Sequence, residues 1–174
     1  YDDKYLYIAY RCFDTEPDKI VKRLSRRDGF EGDWVEINID GYHDRRSASA
    51  FTITAAGVKG DEAISNDGQD WDSSFNPIWF AKVSSDSEGW TAELKIPFSQ
   101  LRFDKKDVQT WGFNVQRRNF RDNSNSFWQY MPRNAGGWVS QFGEIHGIKG
   151  VLPQKQVEIQ PYVVASTETF EAEE

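Results

Sequence analysis

Residues 89–103, GWTAELKIPFSQLRF, restrict the architecture more than any other stretch, because two structural periods meet there across a proline. Trp90, Ala92, Leu94 and Ile96 alternate with Thr91, Glu93 and Lys95, the period-two pattern of a strand with one buried face. Pro97 has no N–H to give a neighbouring strand, so the ladder stops at it. Phe98, Leu101 and Phe103 are then spaced to drop back onto the sheet as a short helical turn. Such a unit is expected to close one edge of an all-β sandwich.

The flanking segments support the same class. YLYIAYRCF, residues 5–13, is apolar on both faces and reads as a central strand covered from two sides. In residues 33–40, Val35, Ile37 and Ile39 point one way while Trp34, Glu36, Asn38 and Asp40 point the other. Residues 47–56, 78–84, 109–120, 127–131 and 142–149 supply further strands at short spacing. Pro17 followed by the Ile20, Val21 and Leu24 stripe predicts a short surface helix. The Gly-, Asp-, Asn- and Ser-rich stretch 57–76 predicts a long loop, and 132–141 a second one. The expected fold is an antiparallel β-sandwich of two sheets, immunoglobulin- or jelly-roll-like, with one or two short helices. No strand alternates with a long helix as a parallel α/β fold requires.

A chain of 174 residues suits one domain, placed at 1–152, with 153–174 read as a linker and the start of a further domain. The start at Tyr1, inside a strand-forming segment, is read as the sign of a piece of a longer protein. A net charge of −7 disfavours a nucleic-acid partner, since binding to phosphates rests on clustered cations. Cys12 has no second cysteine to pair with and reads as a small buried hydrophobe. No apolar run approaches the length of a membrane-spanning helix.

The blocks YDDKYLYIAYRCFD, DWVEINID, WDSSFNPIWFAKV, GWTAELKIPFSQLRF, TWGFNVQRR, FWQYMP and SQFGEIHGI occur in an order that resembles the family 9-like carbohydrate-binding modules over about residues 1–150. The nearest subgroup precedes a β-barrel-like domain of the outer membrane, and VEIQPYVVA resembles the first strand of that domain. The resemblance implies a DOMON-like sandwich acting as a non-catalytic carbohydrate-binding module of an exported bacterial protein, periplasmic or associated with the outer membrane. Its implied partners are an oligo- or polysaccharide and its own C-terminal barrel-like domain. The alternative is a structural or accessory domain of such a barrel, with no sugar ligand. Sugar-binding members clamp a terminal sugar between two tryptophans and hold calcium for structure.

On this chain the clamp candidates are Trp71 and Trp138, one at the end of each predicted loop, with Asp72, Asn76, Arg133 and Asn134 as the polar ring. A pyranose offers an apolar C–H face to an indole, and its hydroxyls need carboxylates, amides or guanidinium groups in place of water. Trp34 is a third exposed candidate, whereas Trp79, Trp90, Trp111 and Trp128 are expected in the core. Asp61, Asp67 and Asp70 are the candidate calcium ligands, because hard oxygens on a loop suit that ion. His43 and His146 lie far apart and suggest no zinc site, and Met131 reads as packing rather than as a haem ligand. The acid pairs Glu36 with Asp40 and Glu93 with Glu144 read as solvent-facing, and no nucleophile motif occurs, so the chain is not expected to be an enzyme.

Overall fold

In the computed structural model, residues 1–154 and 162–167 are described. They form strands β1 (Tyr5–Phe13), β2 (Trp34–Asp40), β3 (Ala48–Thr54), β4 (Lys59–Ser65), β5 (Asp70–Asp72), β6 (Phe80–Asp86), β7 (Gly89–Pro97), β8 (Val108–Asn119), β9 (Ser124–Phe127) and β10 (Gly143–Lys149). Every ladder is antiparallel. A three-stranded sheet runs β1-β7-β6, and a seven-stranded one runs β10-β8-β2-β3-β4-β5, with β9 pairing β8. Strand β8 is long enough for β10 to take its first half and β9 its second.

The core lies between the sheets. Trp90, Ala92, Leu94 and Ile96 of β7 are buried together with Val35, Ile37 and Ile39 of β2, Phe51 and Ile53 of β3, and Trp111 of β8. After Pro97 the chain makes the single 3₁₀ turn Phe98–Gln100, and Phe98, Leu101 and Phe103 are buried as their spacing predicts. The Phe98 amide donates to the Lys4 carbonyl at 2.9 Å, which ties the turn to the start of β1. Phe98, Phe103 and Trp111 then pack ring against ring at 5.1–6.2 Å.

Several expectations are corrected. Strand β7 closes no edge; it is the middle strand of the small sheet. The edges are β1 and β6, and the apparent second buried face of β1 is instead an exposed aromatic surface around Lys95, with the ammonium 3.9 Å from the Tyr5 ring and 5.9 Å from that of Tyr7. Strand β2 is buried on both faces, so Glu36, Asn38 and Asp40 are not solvent-facing. The predicted surface helix is only the 3₁₀ turn Pro17–Lys19, because Lys22 bridges Gly32 and holds the following backbone extended. Much of 57–76 is β4 and β5 rather than loop: Gly60 leaves room for the Phe30 ring, and Asp61 is buried against Arg27 at 2.6 Å and the Trp79 indole N–H at 3.1 Å. The strand expected at 127–131 lies at 124–127, and Trp128, expected in the core, is 58% exposed. Most of the strand expected in VEIQPYVVA, residues 157–161, lies outside the described residues.

Gly89 opens β7 at φ +143°, and a Cβ there would collide with the Cys12 carbonyl oxygen of the paired strand. Gly89→Ala is therefore expected to cost roughly 3 kcal/mol, seen as a lower urea midpoint at unchanged slope. An unchanged midpoint would show that the β1–β7 ladder yields freely at this point.

Candidate functional site

Trp71 and Trp138 meet on the outer face of the large sheet. Trp71 stands opposite Ile64 in the β4–β5 ladder. Residues 132–142 fold over the same face, where Val139 is buried with Ala48, Ala50 and Ile64, and Trp138 and Phe142 pack around them. The seat is the turn Asn66–Gly68. Asn66 and Asp67 take left-handed backbone angles, φ 51° and 58°, which short polar side chains tolerate. The Asp67 carbonyl accepts from the Trp138 amide at 2.8 Å, and its Oδ1 accepts from the Ser140 amide at 2.7 Å. Gly68, at φ +89°, has no room for a Cβ against Trp138, and its carbonyl accepts from the Trp71 indole N–H at 2.8 Å.

The two rings are nevertheless not a clamp. Their centroids are 6.0 Å apart with planes inclined at 58°, whereas a sugar between two parallel rings needs about 8 Å, two contact layers of ~4 Å. Trp138 instead takes Phe127 and Phe142 edge-on at 5.6 and 6.1 Å, and its indole N–H is buried without a partner. Trp71 stays 41% exposed on the outside of the cluster.

The remaining predicted residues do not gather around this pair. Asp72 follows Trp71 in an extended strand and so faces the other way; it lines a groove of about 460 Å³ with Tyr42, Ser74 and Arg102. Asn76 lines a neighbouring recess and donates to the Ser74 carbonyl at 3.0 Å. Arg133 and Asn134 are exposed at the turn where the Ala135 amide reaches the Pro132 carbonyl. The three candidate calcium ligands are also apart in their bonding: Asp61 is held by Arg27 and Trp79, Asp67 straps the turn to Ser140, and Asp70 accepts from the Asn66 amide. Among the described residues no three His, Cys, Asp or Glu side chains are placed to share a metal ion. His43 and His146, distant in sequence, each lie 3.1 Å from a different oxygen of Glu144.

A polar row that the alternation in β2 assigned to solvent is the better-built feature. Gln116, Glu36, Thr52 and Gly60 stand opposite one another across β8, β2, β3 and β4, and the adjacent row is Asn114, Asn38, Ala50 and Glu62. Glu36, Asn38, Thr52, Asn114 and Gln116 are all buried. The Thr52 hydroxyl donates to Glu36 Oε2 at 2.6 Å and the Asn38 amide to Oε1 at 2.8 Å, while Asn38 Oδ1 is buried with no partner. Burial pushes the Glu36 carboxyl above the ordinary range, opposed by those two hydrogen bonds. Aromatics bound the row at both ends: Phe30 over Gly60, with Trp34 at 6.1 Å from it, and Phe127 with Trp138 beyond Gln116. The readable trace of this site is that three neighbouring strands all place hydrogen-bonding residues at matched positions.

The family model described as carbohydrate family 9 binding domain-like matches residues 1–142. The chain belongs to this family. Among solved structures it is similar to a family 9 carbohydrate-binding module from Caldicellulosiruptor kristjanssonii in complex with glucose, at 17% identity and a TM-score of 0.53, covering 92% of this chain and 77% of that one. It is also similar to a putative carbohydrate-binding protein from Bacteroides uniformis ATCC 8492, at 16% identity and a TM-score of 0.50, covering 67% of this chain and 61% of that one. No curated protein sequence matches. At these identities the structural likeness is one of fold.

The buried carboxyls of this family 9-like domain set the sign of its pH dependence. Folding raises the Glu36 pKa above 4.5, so its contribution to stability is full below that value and is lost as the pH climbs through the folded-state pKa. Asp33, Asp40 and Glu62 shift the same way through burial. Asp86 runs opposite: the Arg11 guanidinium draws it down to about 2, a contribution present above pH 3.8 and lost in acid. Glu36→Gln, which keeps the shape of the group, is expected to melt a few degrees above the parent at pH 8, ~2–4 °C per kcal/mol, and level with it at pH 4. Thermal scans at the two pH values check this; an equal gap at both would show that Glu36 keeps one protonation state throughout.

The seat of the tryptophan cluster makes a second expectation. Every bond of Asp67 named above goes to protein, so Asp67→Ala is expected to lower stability by about 1–2 kcal/mol equally with calcium or with chelator. A loss seen only with calcium present would return Asp67 to the role of a ligand.

Proposed function

We propose that this chain is a non-catalytic carbohydrate-binding module that holds a sugar on the outer face of its larger sheet. The observation that carries this reading is the buried, aromatic-bounded row of Glu36, Asn38, Thr52 and Gln116, with Asn38 Oδ1 left unpartnered. Buried polar groups are ordinarily satisfied, so an orphan acceptor beside an ionisable carboxyl marks a place where a ligand's hydroxyls improve the bonding. The indole of Trp138 lies in the loop that covers this face, and its unpartnered N–H is a second such group. Sugar entry moves Trp138 off Trp71; the sugar's C–H face then takes the indole, and its hydroxyls take Glu36, Asn38 and Gln116. Arg133 and Asn134, at the exposed turn of the same loop, are placed to close over it.

The non-catalytic part of the reading rests on the acids. Asp40 accepts the Asp44 and Arg45 amides at 3.2 and 2.9 Å and serves its own turn, while Glu93 and Glu144 stand on different sheets. Glucose is the first probe, because the Caldicellulosiruptor kristjanssonii module carries it. Titration with glucose and neutral gluco-oligosaccharides is expected to change tryptophan fluorescence, with Trp138→Ala weakening binding more than about tenfold and Trp71→Ala less. A flat response to neutral mono- and oligosaccharides would overturn the reading.

A further inference from the structure

The small sheet leaves part of the large sheet's inner side uncovered, at the end of the β8–β9 hairpin. Arg117 stands opposite Ser126, and Asn119 opposite Ser124, so these four side chains share one face. Arg117 also stands opposite Val35, which places that face on the core side of the sheet. Where a covered strand would carry apolar residues, this hairpin carries a cation, an amide and two hydroxyls. With Phe13, Asp14 and Thr15 at the end of β1 they line a recess of about 270 Å³.

Arg117 is the unusual member. Its Nε is buried with no partner, and its guanidinium makes no hydrogen bond or ion pair among the described residues. The cations around it are engaged: Arg121 holds Asp14 at 3.0 and 3.3 Å and lies 3.5 Å from Asp122, and Arg11 holds Asp86 and Glu88 at 2.7 and 2.9 Å. Asp33 and Asp14 feel the Arg117 charge; Asp14 is taken by Arg121, and Asp33 Oδ1 accepts the Val21 and Phe120 amides while its Oδ2 is buried without a partner. Next along the same face comes Trp128, whose amide donates to the Val115 carbonyl at 2.9 Å and so continues the ladder beyond β9. Its indole is stacked on Phe113 at 4.5 Å and 28°, and more than half of it is exposed. The indole leans over Phe113 and Gly143, four residues back along β8 from Arg117, so that roughly 13 Å of strand, more than one sugar unit, separates it from the recess.

We propose that this face is a second carbohydrate site, selective for an oligosaccharide that carries a sugar acid: the carboxylate of one unit takes the free Nη groups of Arg117, the hydroxyls of that unit exchange with Asn119, Ser124 and Ser126, and a unit further along the ligand stacks on Trp128. A guanidinium matches a carboxylate in two parallel hydrogen bonds, which supplies the preference for a uronate over a neutral sugar. A recess slightly below the usual ligand-pocket size of about 300 Å³ suits one sugar unit, and the chain's net charge of −7 opposes a long polyanion.

The test titrates the full chain, followed by calorimetry, with trigalacturonate, with neutral galactotriose and with acetate. Trigalacturonate is expected to bind at least tenfold tighter than galactotriose; Trp128→Ala is expected to weaken both, Trp138→Ala to leave that advantage, and Arg117→Met to remove it. Ser126→Asp, an exposed change that touches no core residue, is expected to do the same by setting a carboxylate against the ligand. Equal binding of the neutral trisaccharide, displacement by acetate at the same concentration, or insensitivity to both Trp128→Ala and Ser126→Asp would each overturn the proposal. Because neutral glucose at the Glu36 row responds to Trp138→Ala and not to Trp128→Ala, failure of either site is read separately.

Discussion

The contact of β7 with β2 and β3 fixes the sandwich, because Trp90, Ala92, Leu94 and Ile96 are the side chains through which the middle of the small sheet meets Val35, Ile37, Phe51 and Ile53. Strands lie about 4.8 Å apart within a sheet, so three strands span much less width than the large sheet presents. The mismatch has to be resolved on both flanks. Toward the start of β8, the turn after Pro97 supplies Phe98 and Phe103 to cover Trp111. Toward its end nothing equivalent arrives among the described residues, and the hairpin inner face is polar where it is uncovered. The apolar cap and the Arg117 recess are two answers to one geometric shortage.

The opposite side of the large sheet shows the reverse anomaly. An outer face needs no covering, yet residues 132–142 lie on it and bury Val139 against Ala48, Ala50 and Ile64. Burying the Glu36 carboxyl and leaving Asn38 Oδ1 unpartnered are both unfavourable to folding, the unsatisfied oxygen by about 1–3 kcal/mol. The loop is held by the Asp67 strap, the Gly68 contact and the small apolar cluster around Val139, a limited set of contacts for which a ligand can compete. That is the physical content of a binding face, and stability is commonly reduced at such places.

Legibility in the sequence followed the number of competing environments. Strand β7 was readable because one face is core and the other is not, so alternation alone carried the answer, and the proline and aromatic spacing gave the turn. Strand β2 showed an equally clean alternation and misled: Asp40 is taken by the Asp44 and Arg45 amides of the turn that follows, and Glu36 and Asn38 are buried in rows shared with β8, β3 and β4, which no local pattern encodes. Asp61 looked like part of a solvated acidic loop because its partners, Arg27 and Trp79, are likewise remote. Trp71 and Trp138, picked as the two sides of a clamp, lie against each other, and their 6.0 Å packing depends on the left-handed turn at Asn66–Gly68, which sequence shows only as an Asn-Asp-Gly cluster. Trp128 was assigned to the core by its alternation with polar neighbours in an expected strand; its exposure depends on where the small sheet ends.

The charges on the two faces argue that their ligands differ. On the outer face Glu36 and Glu62 stand near enough for each to raise the other's cost of ionising, and a ligand carboxylate brought there would add a third negative charge to a buried site. Such a juxtaposition discriminates against sugar acids by repulsion rather than by poor fit. At the hairpin Arg117 supplies a cation without an ion-pair partner among the described residues, beside Asp14, which Arg121 engages, and Asp33, whose Oδ1 alone is held by backbone amides. Aromatic stacking is common to both faces and tolerates either sugar, so selectivity falls to the charged group beside the ring. One sandwich can then read two chemically distinct parts of a heteropolysaccharide, neutral on one face and acidic at the other, without either site being large.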